Sequence, residues 1–533
     1  MRKLSQILTS LFLTLALPLS AAGQVGDNMR DIEYLRSSQP WLSSSNAAGL
    51  SEMPFSRIAT AEGFFSKHDG GLIGIEESAN SLEAGVSTEA FVKASERVVL
   101  YGNLSYNYFS GKDMGGPMFM NPSYNPINFY ESSETTIGTK DRELYNLIGG
   151  VSYSLNEKWS IGAKFDYETG DQAKLKDPRI LNVWMDLNVS AGVRFKPSEK
   201  FSVGANLIYE RTLETIRGGI YGTTDKQYFT YVDYGGFYGS RETFEGRTER
   251  VAVGETRPMF NSFYGGSLQL EAGKDIKVFN EFSFLMRSGY YGKRSSTTVT
   301  FTEHSSNILE YKGILTAGRG SNLHRVGIQF RYEGLANNEN IYRMNTELGD
   351  YTKVEYFGQN EILQRTDING GLSYTGYLGV DNYRPKWEYG LKADAQMRNS
   401  VTTIYPFYRT SSITCVNAHI HGKRNIIIGD KNIITIGLDG YFATGFGNPK
   451  VDGRLASSTS DAPRSMDIYL NRDFEYKTSM QAGGLVACRY TRLFKKMAAY
   501  VEASDAYRLM FKQAEYLSGN NRNIFDIKIG CTF

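Results

Sequence analysis

The sequence predicts an all-β protein, a transmembrane antiparallel up-and-down β-barrel of about eighteen strands with short periplasmic turns and long extracellular loops. Three observations lead to this prediction. The chain begins with a leader for export, no later stretch resembles a membrane helix, and many segments alternate apolar with polar residues. Hydrophobic residues make up 41% of the chain, which is too few for a bundle of spanning helices. An exported chain without such helices is either released or inserted as a barrel.

The amino terminus has the pattern of a secretory signal peptide. Arg2 and Lys3 precede an apolar stretch over residues 7–19, which small residues follow. The alternative, a membrane anchor, is disfavoured because the stretch is short and contains Pro18. We therefore predict a signal peptide over residues 1–23.

The chain ends on FDIKIGCTF, in which every second residue is apolar. The apolar face of this strand carries Phe525, Ile527, Ile529, Cys531 and Phe533. A barrel places such a face against lipid, whereas a sandwich buries it, and one strand cannot decide between them. The terminal Phe533 after alternating Phe525, Ile527 and Ile529 resembles the insertion signal of Gram-negative outer-membrane barrels. That resemblance implies an outer-membrane location, contact with its lipid, and the barrel-assembly machinery as a partner during insertion.

An internal repeat supports the barrel. Residues 150–167, GVSYSLNEKWSIGAKFDY, match residues 192–209, GVRFKPSEKFSVGANLIY, at eight of eighteen positions. Each copy has the pattern of a strand, a tight turn and a second strand, and aromatic residues cluster near the strand ends. Aromatic bands at both strand ends are typical of the two membrane interfaces of a barrel.

The same pattern assigns turns and loops along the chain. Periplasmic turns are predicted at residues 95–97, 156–158, 196–200, 274–277, 381–385, 422–431 and 491–496. Extracellular loops are predicted at residues 110–142, 215–260, 293–322 and 445–475. Both termini then lie on one side, so the strand number is even. Eighteen strands fit best, and sixteen is the alternative if the region from Leu323 to Phe357 forms a loop. Barrels of this size leave an aqueous lumen unless something plugs it.

Residues 24–58 precede the barrel, which is predicted over residues 59–533, and they are too few for a folded domain. Within them, Asn46-Ala47-Ala48-Gly49-Leu50 resembles the Asn-Pro-Ala-Gly-Leu box of the fatty-acid and hydrocarbon transporter barrels, with Ala47 in place of Pro. In that family the amino-terminal segment folds into the lumen as a hatch, and the barrel has fourteen strands. The resemblance implies an internal hatch without implying membership. As a whole, the chain resembles large uncharacterised outer-membrane barrels that lack a separate plug domain.

Charged residues of both signs are predicted to face the lumen. This set comprises Lys164, Asp166, Glu168, Lys392, Asp394 and Arg398. They could line a pore and tune its selectivity, or pair across strands and brace the wall. The second interpretation is the stronger one, because neighbouring opposite charges on one sheet face pair readily.

The histidines and cysteines of the chain give no reason to predict a cofactor. His419 and His421 share a strand face and could bind a metal, but no carboxylate pattern accompanies them. The three cysteines, Cys415, Cys488 and Cys531, match no zinc or redox spacing and fall on strands that are not neighbours. We expect no metal site and no structural disulfide.

Catalysis receives little support. Glu303, His304 and Ser305 are suitable residue types, but neighbouring residues on a strand point apart and no hydrolase or nucleotide-binding motif is present. The net charge of +2 gives no reason to expect nucleic acid as a partner. The sequence therefore predicts a channel or transporter for a small molecule. The first alternative is an accessory barrel that partners a TonB-dependent transporter, a surface lipoprotein or a secretion machine, and the second is an outer-membrane enzyme.

Overall fold

The structure is a computed structural model that describes residues 26–131, 133–223, 225–244, 248–345, 353–495 and 497–533. The predicted signal peptide lies outside these residues. No helix of the described chain is long and apolar enough to cross a membrane. In chain order the strands are β1 (Arg57–Asp69), β2 (Asn80–Lys93), β3 (Val98–Met114), β4 (Asn128–Glu131), β5 (Gly138–Ser154), β6 (Trp159–Lys174), β7 (Arg179–Ser198), β8 (Phe201–Gly219), β9 (Phe229–Asp233), β10 (Tyr238–Thr243), β11 (Thr256–Gly273), β12 (Ile276–Gly292), β13 (Thr300–Arg319), β14 (Asn322–Asn345), β15 (Lys353–Leu378), β16 (Trp387–Ile404), β17 (Phe407–Ile428), β18 (Asn432–Arg454), β19 (Arg464–Ser465), β20 (Gln481–Leu493), β21 (Ala498–Met510) and β22 (Asn521–Thr532).

The helices are short, and none of them is part of the barrel wall. They are α1 (Ile32–Ser38), α2 (Asp467–Thr478) and the 3-10 helices Asp27–Met29, Pro40–Ser43, Ala47–Glu52 and Glu134–Thr136.

Eighteen antiparallel strands form one closed sheet, which confirms the predicted up-and-down barrel and its strand number. Each barrel strand pairs with the next barrel strand along the chain. The last strand, β22, pairs with β1 from Thr60 opposite Thr532 to Asp69 opposite Asn523. This pairing leaves no edge strand, as a barrel in a membrane requires. The uncertain region from Leu323 to Phe357 supplies most of β14 and the start of β15, so the alternative of sixteen strands is wrong.

The barrel has two different rims. The seven predicted periplasmic turns all lie at one rim, which also holds the entry to β1 and the end of β22; we call it the turn rim. The opposite rim carries the long connections and is called the loop rim. The predicted loop over residues 293–322 is wrong in most of its length, because β13 occupies Thr300–Arg319 and a tight turn at Gly320 leads directly into β14. The turn predicted at residues 422–431 is shorter, since β17 continues to Ile428.

Side chains alternate between the two faces of the wall. On β6, Trp159, Ile161 and Phe165 are exposed on the outer face, whereas Ser160 is buried in the lumen. Aromatic rings pair across strands on the outer face. Near the turn rim, Trp159 lies 4.5 Å from Phe195 between ring centroids, and nearer the loop rim Tyr209 lies 5.1 Å from Tyr264. An apolar exterior with aromatic pairs toward both ends fits a wall that faces lipid.

A folded unit covers the loop rim. Strands β4, β9, β10 and β19 form a separate four-stranded sheet, and α2 lies beside it; we call these elements with their connections the cap. Apolar side chains of the cap pack against the upper ends of barrel strands in one buried cluster. This cluster includes Phe129, Val232, Phe244, Tyr291 and Phe301. The main hydrophobic core of the protein therefore lies at the loop rim, inside the barrel opening.

Candidate functional site

The amino-terminal segment, residues 26–56, crosses the mouth of the barrel at the turn rim. Met29 packs with Ile427 and Ile433 on one side of the mouth. Helix α1 follows, and the ring centroid of Tyr34 lies 5.0 Å from that of Tyr377 on β15. The segment then turns back toward β1. It thus contacts strands around most of the circumference of the mouth.

Side chains rather than strand pairing hold this segment. In the described chain, its backbone bonds to the barrel backbone at two points. The Asp31 N–H donates to the Tyr383 carbonyl at 3.1 Å, and the Lys93 N–H donates to the Ser56 carbonyl at 2.7 Å. The segment is therefore not a strand of the wall, and its departure would leave the barrel ladder unbroken.

Asn46 anchors the middle of the segment. Its side-chain oxygen accepts from the Ala48 N–H at 3.1 Å, which caps the 3-10 helix that follows. Its amide group donates to the Val193 carbonyl at 2.9 Å and to Oε1 of Gln269 at 3.0 Å. Asn46 is buried, so each of these bonds satisfies a group that water cannot reach.

Ser45 continues the polar contact with the wall. Its N–H and its hydroxyl both donate to Oε1 of Glu281, at 2.9 and 2.6 Å. Gln269 donates to Oδ1 of Asn206 at 2.8 Å and to Glu281 at 3.1 Å, so the wall residues also bond to one another. These side chains form a buried hydrogen-bonded cluster between the segment and strands β8, β11 and β12.

Small residues in the wall make room for this contact. A Cβ atom at Gly162 would overlap the backbone of Ala47 and Ala48, and one at Gly192 would overlap the Asn46 side chain. Glycine at these two positions therefore sets how closely the segment approaches strands β6 and β7.

Ion pairs tie both ends of the segment to the wall. Asp31 lies 3.6 Å from the ammonium of Lys423, and Glu52 lies 2.7 Å from Arg194 and 3.2 Å from Lys196. Burial raises the pKa of Asp31, but Lys423, Arg384 and the Tyr34 N–H outweigh it and hold that pKa well below its usual range. Burial also raises the pKa of Glu52, and the charges of Arg194 and Lys196 again lower it overall. Both carboxylates are therefore stabilised in their ionised form.

A second obstruction enters the lumen from the loop rim. The connection from β3 to β4 carries residues 121–127, which we call the inserted segment, and arginines of the wall bind its backbone. Arg365 donates to the carbonyls of Asn125 and Tyr124 at 3.0 and 3.2 Å, and Arg398 donates to the Ser123 carbonyl at 3.0 Å. The guanidinium of Arg287 lies 4.2 Å from the centroid of the Tyr124 ring.

Acidic side chains hold these arginines in place. Arg287 pairs with Glu333 at 3.2 Å, and both are buried. Asp367 lies 2.9 Å from Arg365 and 2.5 Å from Arg398. The guanidinium planes are thus fixed toward the inserted segment.

The six side chains predicted to face the lumen lie on inner faces of two wall regions. On β6, Lys164, Asp166 and Glu168 follow Gly162, whose Cα lies against the amino-terminal segment. Asn146 donates to Asp166 at 3.0 Å, and the Trp184 indole donates to Glu168 at 2.8 Å.

On β16, Lys392 lies 3.3 Å from Asp394, which also accepts from Asn417 at 2.9 Å. Arg398 belongs to the arginines that bind the inserted segment. The structure thus connects Arg398 to an obstruction of the lumen and leaves the other five in bracing contacts or facing the lumen interior.

The remaining candidates form no reactive centre among the described residues. His304 is buried and lies 2.6 Å from Oδ1 of Asn261, whereas Glu303 pairs with Arg294 at 3.1 Å. His421 lies 3.6 Å from Glu388, and His419 packs against the Tyr441 ring. In the part of the chain that the structure describes, no three His, Cys, Asp or Glu residues come together as metal ligands.

The predicted insertion strand closes the barrel. Phe525, Ile527, Ile529 and Phe533 are exposed on the outer face. The sequence did not indicate Arg287, Arg365 or the Ser45–Glu281 contact. The available signal is an arginine followed two residues later by an acidic residue, Arg331 and Glu333 on β14 and Arg365 and Asp367 on β15, but this pattern does not show which loop the arginines bind.

Solved structures of two receptors and a transporter are similar to this chain at low identity. The ferric preacinetobactin receptor of Acinetobacter baumannii is 8% identical with a TM-score of 0.36, over 89% of this chain and 80% of that chain. The outer membrane transporter YddB of Escherichia coli is 6% identical with a TM-score of 0.40, over 89% and 80%. A mutant of the ferric enterobactin receptor of Pseudomonas aeruginosa is 10% identical with a TM-score of 0.40, over 90% and 82%. Likenesses this low carry no argument about function.

No curated protein matches the chain. The similarity to fatty-acid and hydrocarbon transporter barrels stays confined to Asn46–Leu50, since the barrel has eighteen strands. The profile of a family of unknown function matches residues 47–533, which includes the whole barrel and the end of the amino-terminal segment. The chain belongs to this family, DUF6850, as the predicted resemblance to an uncharacterised group of outer-membrane barrels implied.

Proposed function

We propose that this protein is an outer-membrane transporter that passes a small molecule through a gated lumen, with residues 26–56 as the hatch. One observation carries the proposal. The segment crosses the turn-rim mouth, yet in the described chain backbone-to-backbone hydrogen bonds join it to the barrel at two points, and side chains make its other contacts with the wall. Such a segment can leave while the wall stays intact, which a gate requires.

The inner wall supports passage of a polar molecule. Strands β16 to β22 carry ionisable side chains on their inner faces, among them the half-buried Asp394 and His419 and the exposed Asp439. A surface of this kind holds water and tunes selectivity. With the hatch and the inserted segment in place and the cap over the loop rim, we expect the resting protein to be closed rather than porin-like. We propose that the lumen serves transport rather than catalysis.

The proposal includes the route to the membrane. We expect residues 1–23 to direct export, and the carboxyl-terminal residues Phe525, Ile527, Ile529 and Phe533 to engage the barrel-assembly machinery. The turn rim then faces the periplasm and the loop rim faces the outside.

Conductance in planar bilayers tests the gate. Three chains are compared: the full protein, a chain lacking residues 26–56, and that chain with Arg365→Ala, which also frees the inserted segment. We expect silence from the first, rare openings from the second and steady conductance from the third. Heat-modifiable migration on gels confirms that each barrel is folded. Steady conductance from the full protein, or silence from all three folded chains, would overturn the proposal.

One observation favours the accessory barrel as a second candidate. The loop rim exposes large aromatic side chains beside the folded cap, including Tyr221, Phe357, Tyr405 and Phe511. Exposed aromatics on a rigid support are typical of binding surfaces. Such a barrel would bind a TonB-dependent transporter or a lipoprotein, and crosslinking from position 405 in intact cells would capture that partner even if every chain above stays silent.

A further inference from the structure

A polar cavity of about 250 Å³ lies in the lumen below the loop rim. Its wall comes from strands β1, β2, β3, β5, β6 and β22, and its roof comes from residues 117–121 and residues 76–78. Three acidic side chains line it, Glu76, Glu77 and Glu83, and three basic ones, Lys140, Arg142 and Arg522. The formal charge of the lining is therefore balanced. A balanced lining favours a ligand without net charge over an anion or a cation.

Two of the basic groups are already used by the protein. Lys140 donates to the carbonyls of Gly115 and Pro117 at 3.1 and 2.7 Å. Arg522 donates to the Ser78 carbonyl at 2.6 Å and lies 3.3 Å from Nδ1 of His68. These bonds fix the roof and the rim of the cavity and tie both basic groups to the protein itself.

Glu83 and Arg142 are different. Among the described residues, the Glu83 carboxylate and the Arg142 guanidinium have no ion-pair or hydrogen-bond partner, although both side chains are only partly exposed. The Arg142 guanidinium lies 5.0 Å from the centroid of the Phe109 ring. Charges withdrawn from bulk water are normally paired, so an unpaired acid and an unpaired base in one cavity point to a ligand that supplies both partners.

The strand register sets how these charges are placed. Glu83 on β2 is opposite Phe109 on β3, and Phe109 is opposite Arg142 on β5. All three side chains point into the lumen in one row. Neighbouring strands are about 4.8 Å apart, so the Glu83 and Arg142 backbones are separated by roughly 10 Å, with the buried Phe109 ring between them. The long side chains can converge above that ring on opposite ends of a small molecule.

We propose that this cavity binds a small zwitterion of the size of a free amino acid, with the ligand carboxylate on Arg142 and its ammonium group on Glu83. The planar guanidinium suits a carboxylate, and the carboxylate of Glu83 suits an ammonium donor. Phe109 provides an apolar floor, and the buried amide of Gln172 adds one neutral polar group. The cavity lies just below the ~300–1,000 Å³ of most small-molecule sites, which limits the ligand to this size. The proposal names the cargo class of the gated lumen, and in that respect it rests on the proposed function.

Binding is tested with the full protein in detergent, without any need for conduction. Each of the common L-amino acids is tested by calorimetry at concentrations up to about 10 mM. A dissociation constant above that concentration would be too weak for a binding site. Acetate and ethylammonium serve as single-charge controls. We expect saturable binding of one or more amino acids and none of either control. Absence of saturable binding by every amino acid would overturn the proposal.

Variants then assign the site. Arg142→Met and Glu83→Gln should each weaken the binding at least about tenfold, because each removes one charge-assisted contact with the ligand. Gln172→Leu provides a third variant if one of these fails to fold, and it should weaken binding less. Arg294→Met is the matched control, because Arg294 is an exposed arginine at the loop rim that pairs with Glu303. Affinity unchanged in all three cavity variants would place the ligand elsewhere and overturn the assignment.

The two proposals fail separately. If the chain that lacks residues 26–56 and carries Arg365→Ala conducts steadily but the full protein binds no amino acid, the gated lumen stands and the zwitterion site is rejected. Amino-acid binding that depends on Glu83 and Arg142, together with silence of all three folded chains, would retain the site and remove the transport function.

Discussion

Asn46 is the residue on which the middle of the hatch depends. The sequence indicated it through the similarity of Asn46–Leu50 to a hatch motif, and its side chain makes four hydrogen bonds, including one from its amide group to the Ala205 carbonyl at 3.3 Å. Its partners could not be predicted. Val193 and Gln269 are distant in sequence, and only the closed barrel brings them to Asn46. A local motif could therefore identify the anchor, whereas the polar cluster around it depends on long-range strand register.

Replacing Asn46 should loosen the hatch. Asn46→Ala removes the cap of the following 3-10 helix and leaves the buried Gln269 amide oxygen without the donor that it has in the structure. We expect a loss of about 2–4 kcal/mol in the free energy that holds residues 26–56 in place. Hydrogen exchange of peptides covering this segment would show faster exchange, with barrel strands unchanged. Ser38→Ala is the control, because Ser38 bonds within the segment, to the Leu35 carbonyl. Equal exchange in both variants would exclude Asn46 as an anchor.

Acid should release the hatch. The pKa values of Asp31 and Glu52 are lowered in the folded protein. Their stabilisation is therefore complete above the unfolded values of about 4, and it is lost as the pH falls through the lowered folded values. In the Arg365→Ala background, channel openings should be rare at neutral pH and become frequent below about pH 4.

Asp31→Asn separates charge from capping in this experiment. Asparagine can still cap α1, but it cannot pair with Lys423. The variant should open more often at neutral pH and depend less on acid, while Glu157→Gln in an exposed turn should behave as the parent. If acid raises the frequency of channel openings equally in the parent and in Asp31→Asn, groups other than Asp31 control release of the hatch.

At the scale of elements, the strands and most tight turns could be predicted from the sequence, whereas the predicted loop over residues 293–322 was wrong in most of its length. Alternation and turn residues located seven of the eight turns at the turn rim, and the turn at Gly320 was not predicted. Residues 300–319 were wrongly assigned to a loop because β13 rises beyond the lipid, where polar Thr302 and His304 are buried against other protein rather than exposed. The apolar alternation that marks a lipid-facing strand is lost there. The inserted segment was missed for a related reason, since its contacts are backbone carbonyls that carry no side-chain signal.

The inserted segment should detach when its arginines are removed. Arg365→Ala deletes two charge-assisted bonds to the backbone of Tyr124 and Asn125, at a cost of about 2–4 kcal/mol, while Asp367 retains Arg398 as its partner. Chymotrypsin should then cleave after Tyr124 at least tenfold faster, about the factor that ~1.4 kcal/mol gives. Arg365→Lys should be intermediate, because a single ammonium cannot replace the planar fork. The control variant Arg294→Ala at the loop rim should be cleaved at the same rate as the parent. An unchanged cleavage rate in Arg365→Ala would show that Arg365 does not hold the inserted segment.

For the whole molecule, two kinds of stability coexist. The barrel has a continuous ladder of eighteen strands without an edge, so no strand can leave without breaking pairs on both sides. In the described chain the hatch is held by two backbone-to-backbone bonds to the wall, a polar cluster, ion pairs and apolar side chains such as Leu35 and Leu50 that pack with Phe91 and Val99. Composition and alternation could predict the first part. The hatch could be predicted only as a segment too short to fold alone, because its contacts with the wall depend on the closed barrel around it.

These two parts should separate in denaturant. Because side chains rather than a ladder of backbone hydrogen bonds hold the hatch, we expect peptides within residues 29–53 to exchange freely at urea concentrations where strands such as β6 and β12 stay protected. A chain without residues 26–56 should still fold into a heat-modifiable barrel, and its strand protection should match that of the full protein after hatch release. Hydrogen exchange by mass spectrometry across a urea series measures both. Simultaneous loss of protection in hatch and strands would mean that the segment is a structural part of the barrel, and gating by its departure would then be untenable.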